Sequence, residues 1–288
     1  MCPLGEVVHL WQRDLRDGDR CGCGTAFTGC DFWRRVGVEA FGGWDNVGVD
    51  RVLELQQAVE RTRYIPWLAA PALPAGRRRL VAEYAGHYVR LYRAAAAVSG
   101  ASVLVDSSKH GALAYCLRWA PEVDLRVVHV VRDSRGVAYS WTKKVTRPES
   151  AGAAEMTRYT PGRSALLWNA HNAAFGLLRR RGVPVCRVRY EELLANPRGV
   201  IHGLARFADL EPSTMDFLGR LPDGTQYADL RACHSAAGNP MRFTVGRVPL
   251  RRDDAWRDAL HPGQRRLVAA LTAPLLGVYG YPLTGGRT

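Results

Sequence analysis

Lysine is almost missing from this sequence: of its 40 basic residues, all but Lys109, Lys143 and Lys144 are arginine. Long apolar runs are missing too. No stretch approaches the ~20 residues that a membrane-spanning helix needs, so no membrane attachment is expected. The first residues, MCPLGEVVHLWQRD, show no basic region followed by an apolar one, so a secretory signal is not expected either and a cytoplasmic protein is the default. There is no G-K-[ST] phosphate loop and no acidic metal-binding strand end, which argues against a kinase or NTPase. Helix-turn-helix, zinc-finger and RNA-binding signatures are lacking and the basic residues are dispersed, so nucleic acid is not an expected partner. No internal repeat or low-complexity segment stands out.

What is present fits a globular protein. The 288 residues are 47% hydrophobic and 23% charged, enough to bury the core of one large α/β domain or two small ones. The net charge of +13 suits an anionic partner such as a nucleotide, a sulfated or acidic substrate, nucleic acid or a membrane surface. A chain-wide preference for arginine accounts for that charge equally well. Seven cysteines are scattered apart from one cluster, Cys21, Cys23 and Cys30 in DRCGCGTAFTGCDFW. Zinc would need a fourth ligand, with His9 or Cys2 as candidates, and Cys-x-Cys is not the usual ligand spacing. Reduced cysteines in a glycine turn are therefore expected, and no metal is assigned.

Residues 1–50 show little periodicity and read as a turn-dominated, Gly- and Cys-rich insertion. Helical spacing begins at Arg51, with Val52, Leu55 and Val59, and a second helix runs from about Arg77 to Val98 before Gly100. Strands and helices then alternate: strands at 102–108, 125–131 and 184–190, and helices at 110–120, 134–145 and 162–182. Helical sequence follows from Glu191, and a last helix lies near Gln264–Leu271. This order predicts a three-layer α/β/α architecture around a parallel sheet. The apolar run Val127–Val131 suits a strand covered on both faces.

In such a sheet, ligands gather beyond the carboxyl ends of the strands. Ser107, Ser108 and Lys109 stand at one of these ends, and Arg132 and Asp133 at the next. An arginine fork suits a tetrahedral oxyanion, and Ser140 on the following helix is placed to donate to the same group. The alternative is that Arg132 merely pairs with Asp133. Trp168, Asn169 and Asn172 share a helix face, which core packing explains as well as a ligand does.

The segment VVHVVRDSRGVAYSW resembles the 3′-phosphate-binding segment of sulfotransferases that use 3′-phosphoadenosine 5′-phosphosulfate (PAPS). VLVDSSKHGALAYCLRW is similar to the preceding strand, turn and helix of their bacterial and tyrosylprotein-type branches. CRVRYEELLANPRGVI, HSAAGNPMRF and Trp256 match later segments, and GEVVHLW with CGCGTAFTGCDFW matches an early one, so that the likeness spans about residues 5–280. It implies a P-loop NTPase-like sulfotransferase fold in one domain over 1–288. Residues 51–235 would form the α/β core and 236–288 a segment closing on the nucleotide.

By the same resemblance, Arg132 and Ser140 hold the 3′-phosphate, Arg242 or Arg247 adds a cation, and Ser107 or Ser108 meets the sulfuryl oxygens. Lys109 neutralises the leaving oxygen and Glu6 is the general base, with His9 and then His110 as runners-up. PAPS is the co-substrate, with no metal. The acceptor is a small molecule, carbohydrate or peptide, its pocket expected in loops 9–50 and 145–162; the oligomeric state is not legible.

One departure stands out. The family's first strand runs into a glycine loop of the form G-R-S-G-T-T, whose backbone N–H groups cradle the 5′-phosphosulfate. No such loop precedes Gly5, and PGRSALL at 161–167 follows no buried strand. The expectation is that the N-terminal strand and loop are missing through a start codon assigned too far downstream. A catalytically incomplete nucleotide- or partner-binding protein of the same family is the alternative.

Overall fold

Alternating strands and helices fold into parallel strand pairs, as the pattern predicts. The computed structural model describes residues 1–144, 157–211 and 215–283. The chain divides into two units, Met1–Leu125 with Leu230–Gly246, and Arg126–Asp229 with Arg247–Thr288.

In the first unit, β1 (Cys2–Gly5) lies parallel to β2 (Leu104–Asp106). Between them come α1 (Asp31–Phe41), α2 (Val49–Val59), the single turn α3 (Ile65–Leu68) and the long α4 (Ala75–Ser99), with α5 (Gly111–Leu117) after β2. Val52, Leu55 and Val59 are buried as their spacing predicts. Helix α4 stops where Gly100 takes a left-handed conformation, which costs glycine little. Its buried face carries Tyr84, Tyr88 and Leu91. The Tyr88 hydroxyl lies 3.0 Å from that of Tyr84 and accepts the Trp11 indole N–H at 3.1 Å. Burying these rings stabilises by about 2 kcal/mol each, while the paired hydroxyls avoid the penalty of an unsatisfied polar group.

The reading of residues 1–50 as turn-dominated needs correction. They contain β1, α1 and a wide turn at Leu10–Arg16, where the Asp17 N–H reaches back five residues to the Gln12 carbonyl. Leu4, Val7, Leu10, Trp11, Phe27, Trp33 and Val36 are all core residues. The glycines and cysteines between the short elements mask their periodicity.

In the second unit, β3 (Val127–Val131) pairs in parallel with β4 (Val185–Arg189), from Val127 opposite Val185 to Val131 opposite Arg189. Helices α6 (Ser134–Ser140) and α7 (Pro161–Arg180) lie between them, and α8 (Tyr190–Ala195) and α9 (Pro197–Phe207) follow. The sequence reading did not foresee β5 (Leu218–Arg220) and β6 (Gln226–Leu230), which pair antiparallel. Strand β7 (Gly246–Pro249) joins β6; α10 (Trp256–Ala259) and α11 (Pro262–Val278) complete the unit. Helices α6, α7 and α11 pack together around Ala138, Ala165 and Val268. Val131, Trp168, Leu276 and Tyr279 form the neighbouring cluster.

Strand β3 departs from the two-sided covering expected of it. His129 and Val131 are buried, whereas Val128 and Val130 remain 44% and 56% exposed. Successive side chains point to opposite faces, and an all-apolar run does not show which face is covered. Helix α6 ends at Ser140 rather than at 145, and residues 145–156, part of the expected acceptor loop, lie outside the described residues.

Gly5 fixes the exit from β1. It has φ +82°, and a Cβ there would lie 2.2 Å from the Ala236 carbonyl oxygen. Gly5→Ala is expected to lower stability by about 2 kcal/mol or more. Gly18→Ala, also left-handed but with open space around it, should cost only about 1 kcal/mol. Urea melts of the two variants check the difference.

Candidate active site

The ends of β1 and β2 lie side by side, so the residues that follow them meet. The Lys109 ammonium donates to Glu6 Oε1, and His9 Nε2 stands 3.7 Å from Glu6 Oε2. The Glu6 side chain is 12% exposed and that of Lys109 64%: the carboxylate is walled in, and the ammonium reaches solvent. Behind Glu6 lies Gly238, where a Cβ would come within 3.1 Å of Oε1. His110, edge-on to His9, is tied through Nδ1 to the buried Glu60 at 3.0 Å. Gln56 bridges Glu60 and the Val8 carbonyl. Of the three candidate bases, His110 is thus held by a carboxylate of its own.

Asp106 organises the turn that delivers Lys109. Its carboxylate accepts the Ser108 N–H at 2.8 Å, the Ser108 hydroxyl and the Tyr92 hydroxyl at 2.6 Å. Burial pushes the Asp106 carboxyl above its ordinary range, and these donors pull the other way. Lys109 has φ +63°, a left-handed conformation that costs a non-glycine residue about 1 kcal/mol.

This geometry corrects the placement of Ser108 among the donor-binding residues. Its hydroxyl also accepts the Val8 N–H at 3.0 Å and the residue is buried, so it serves the turn. Ser107 is the exposed serine of the pair.

In the second unit, Arg132 does not pair with Asp133. Asp133 caps α6 by accepting the Arg135 N–H, and its carboxylate receives Nε and Nη2 of Arg135 at 2.9 and 2.6 Å. Arg132 instead lies across Gly136, where a Cβ would sit 3.1 Å from its Nε. Gly136 and Ser140 are four residues apart on α6 and share a helix face, so Arg132 lies along the face that carries the exposed Ser140. The strand end itself is pinned: Trp168 donates to the Arg132 carbonyl at 3.1 Å and Tyr281 to the Val131 carbonyl at 3.1 Å. Asn172 bonds His129 at 2.9 Å and Asn169 donates to the Leu271 carbonyl, so this face of α7 works in packing. Trp256 is buried beneath the Arg135 guanidinium and supports α6 from below.

An acid that the sequence reading overlooked stands at the Arg132 fork. Arg132 Nη2 donates to the Asp253 carbonyl at 2.6 Å and lies 3.2 Å from its carboxylate, which Lys143 approaches to 3.6 Å. Partial burial opposes ionisation of Asp253, but Arg132 and Lys143 outweigh it and hold the carboxyl below its usual range. The fork therefore has an anion on it already. Asp253 sits in RRDDAW, among four charges, and nothing in that pattern marks it.

Arg242 donates through Nη1 to the Ser235 carbonyl at 3.1 Å. Its Nε and Nη2 are buried with no hydrogen-bond partner among the described residues, donor capacity of the kind that a phosphate oxygen takes up. Nearby Asp14, 1% exposed, accepts the Ala237 N–H at 3.0 Å. Burial pushes its carboxyl up to about 8, against the pull of that N–H and of Arg242.

In the first unit adjacent strand ends bring a carboxylate and an ammonium together, and in the second a strand end presents an arginine fork. The family follows from the comparison: residues 38–214 match the sulfotransferase family model, more than half of the chain, and the protein belongs to that family. No curated protein matches it. Among the described residues, no helix is long and apolar enough to cross a membrane.

Asp14 makes stability depend on pH. Its folded carboxyl keeps its proton to about 8, whereas an unfolded one releases it near ~3.9. The unfolded chain alone ionises in between, so stability is highest at the acid end and falls as pH rises through that window. The slope is at most about 1.4 kcal/mol per pH unit. Asp14→Asn keeps an acceptor for Ala237 and is expected to flatten this fall, as denaturant melts from pH 5 to 8 would show.

Proposed function

We propose that this chain is a PAPS-dependent sulfotransferase, a soluble cytoplasmic enzyme that moves a sulfuryl group to a hydroxyl or amine. The acceptor class is a small molecule, carbohydrate or peptide. The observation that carries the reading is the meeting of Glu6 and Lys109 at adjacent parallel strand ends, a proton acceptor beside a cation.

In the reaction, the acceptor oxygen or nitrogen forms a bond to sulfur while the bond from sulfur to the bridging oxygen breaks. The acceptor's proton passes to Glu6. Charge that develops on the 5′-phosphate of departing adenosine 3′,5′-bisphosphate is met by Lys109. Arg132 and Ser140 hold the 3′-phosphate and fix the nucleotide's orientation. Arg242 offers further N–H donors to an anion. Ser107 replaces Ser108 as the hydroxyl for the sulfuryl oxygens. A second reading is nucleotide binding without transfer by a member of the same family.

Calorimetric titration with adenosine 3′,5′-bisphosphate tests the nucleotide assignment. Arg132→Ala should weaken binding about 10- to 100-fold, the worth of a charge-assisted pair. Unchanged affinity would remove Arg132 from the site. Asp253→Asn takes away the competing internal anion and should tighten binding about threefold to tenfold, a modest gain because that pair is partly exposed. Glu6→Gln should retain nucleotide binding and lower sulfuryl transfer from PAPS about 10²- to 10⁴-fold. Nucleotide binding by the unaltered chain with no transfer to any acceptor class would favour the second reading.

A further inference from the structure

The cysteine cluster has a fourth member that its spacing does not reveal. Cys21, Cys23, Cys30 and His234 bring one ligand atom each to within 4.8 Å of the others. The two candidates taken from the sequence, His9 and Cys2, are not in this group: His9 faces Glu6, and Cys2 begins β1. We propose that Cys21, Cys23, Cys30 and His234 bind one zinc ion tetrahedrally, as a structural staple between the Cys21–Cys30 segment and the stretch around His234.

The distances suit that ion. Zinc–sulfur bonds of about 2.3 Å at tetrahedral angles set sulfur atoms about 3.8 Å apart, and Cys23 Sγ lies 3.8 Å from Cys30 Sγ. A shorter zinc–nitrogen bond draws a histidine nearer to its neighbouring sulfur, and His234 Nδ1 lies 3.2 Å from Cys30 Sγ. The four ligand atoms cluster within 4.8 Å of one another, and the three cysteines are free thiols. Three sulfurs and an imidazole form the ligand set of a closed zinc site, with no position left for a substrate.

The chain around the ligands is shaped for it. Cys21 and Cys23 flank the tip of a tight hairpin in which the Cys21 N–H bonds the Thr25 carbonyl and the Gly24 N–H bonds the Cys21 carbonyl. A Cβ on Gly22 would lie 2.3 Å from Ser235 Oγ, so the hairpin closes directly on the residue after His234. Cys30 is the cap residue of α1, where the positive end of the helix favours a thiolate. The Phe32 ring stacks on the His234 imidazole at 5.4 Å and fixes its plane. Cys21 and Cys30 are buried, while Cys23 and His234 reach the surface, which leaves the ion a way in.

Metal analysis of the full chain, purified without a metal-affinity step and dialysed after exposure to zinc, tests the proposal. About one zinc per chain is expected. Cobalt(II) bound in its place should show the strong near-ultraviolet sulfur-to-metal band of thiolate coordination. Cys23→Ser and His234→Ala should each lower zinc affinity at least about tenfold, whereas Cys186→Ser, away from the cluster, should bind as the parent does. Because these variants risk misfolding, the cobalt spectrum of the unaltered chain is the deciding measurement. Sub-stoichiometric zinc with no such band overturns the proposal, as does a Cys23–Cys30 disulfide in protein kept reduced throughout. None of these readouts depends on sulfuryl transfer, so the two proposals stand or fall separately.

Discussion

Residues beyond parallel strands can gather on a ligand only where the chain leaves each strand in a controlled direction. The first unit controls both exits through the backbone. At β1, Gly5 turns left-handed against the Ala236 carbonyl, a position with neither the torsion nor the room for a side chain. At β2, three donors on the Asp106 carboxylate wind the chain tightly enough to force Lys109 left-handed. The two exits are linked, since the Ser107 N–H bonds the Gly5 carbonyl at 2.8 Å. Strain of about 1 kcal/mol at Lys109 is small beside the hydrogen bonds that impose it. The outcome is a carboxylate and an ammonium, 103 residues apart in sequence, held in one ion pair.

The second unit solves a different problem, how to keep an arginine at a strand end from being neutralised by the aspartate beside it. Arg135 does this by taking both oxygens of Asp133 in a pair that is almost fully buried. A buried pair is costly to break, so the arrangement of Asp133 is fixed and the neighbouring guanidinium is directed elsewhere. Arg132 then lies over a glycine, stacked on the Tyr190 ring at 4.8 Å, with the partly exposed Asp253 as a counterion. A counterion of this kind is worth little in high dielectric, so a dianionic phosphate would displace it readily.

Much of this was legible in the sequence, and the parts that were not share a cause. Helix spacing located α2, α4 and α7 because their buried residues recur within one segment. The strand-end placement of Lys109 and Arg132 followed from apolar runs ending at charged residues. Ser108 was misplaced because a serine after a strand looks the same whether its hydroxyl faces a ligand or closes a turn; only the Asp106 contact two residues back decides it, although an aspartate two residues before a serine is itself a turn signature. Asp253, Asp14 and the meeting of His234 with the cysteines were missed for a plainer reason. Each acts on a partner more than a hundred residues away in the chain, and no local pattern records such a meeting. The π-wound turn at Leu10–Arg16, which turns Asp14 inward, is likewise invisible to a search for 3.6-residue spacing.

The short stretch from His234 to Gly238 ties these threads together within the first unit. His234 meets the cysteines, Ala236 accepts the Glu6 N–H and donates to the Leu4 carbonyl, and Gly238 lies against the Glu6 carboxylate. Glu6 is therefore positioned from behind by five residues of a distant segment, whereas Lys109 is positioned from its own strand by Asp106. The two halves of the ion pair have separate supports. Loosening the cysteine–histidine cluster would free the wall behind the carboxylate and leave the ammonium where it is. A staple outside the reacting groups can in this way set how closely a base is held, because the backbone that carries the ligand is the backbone that the base leans on.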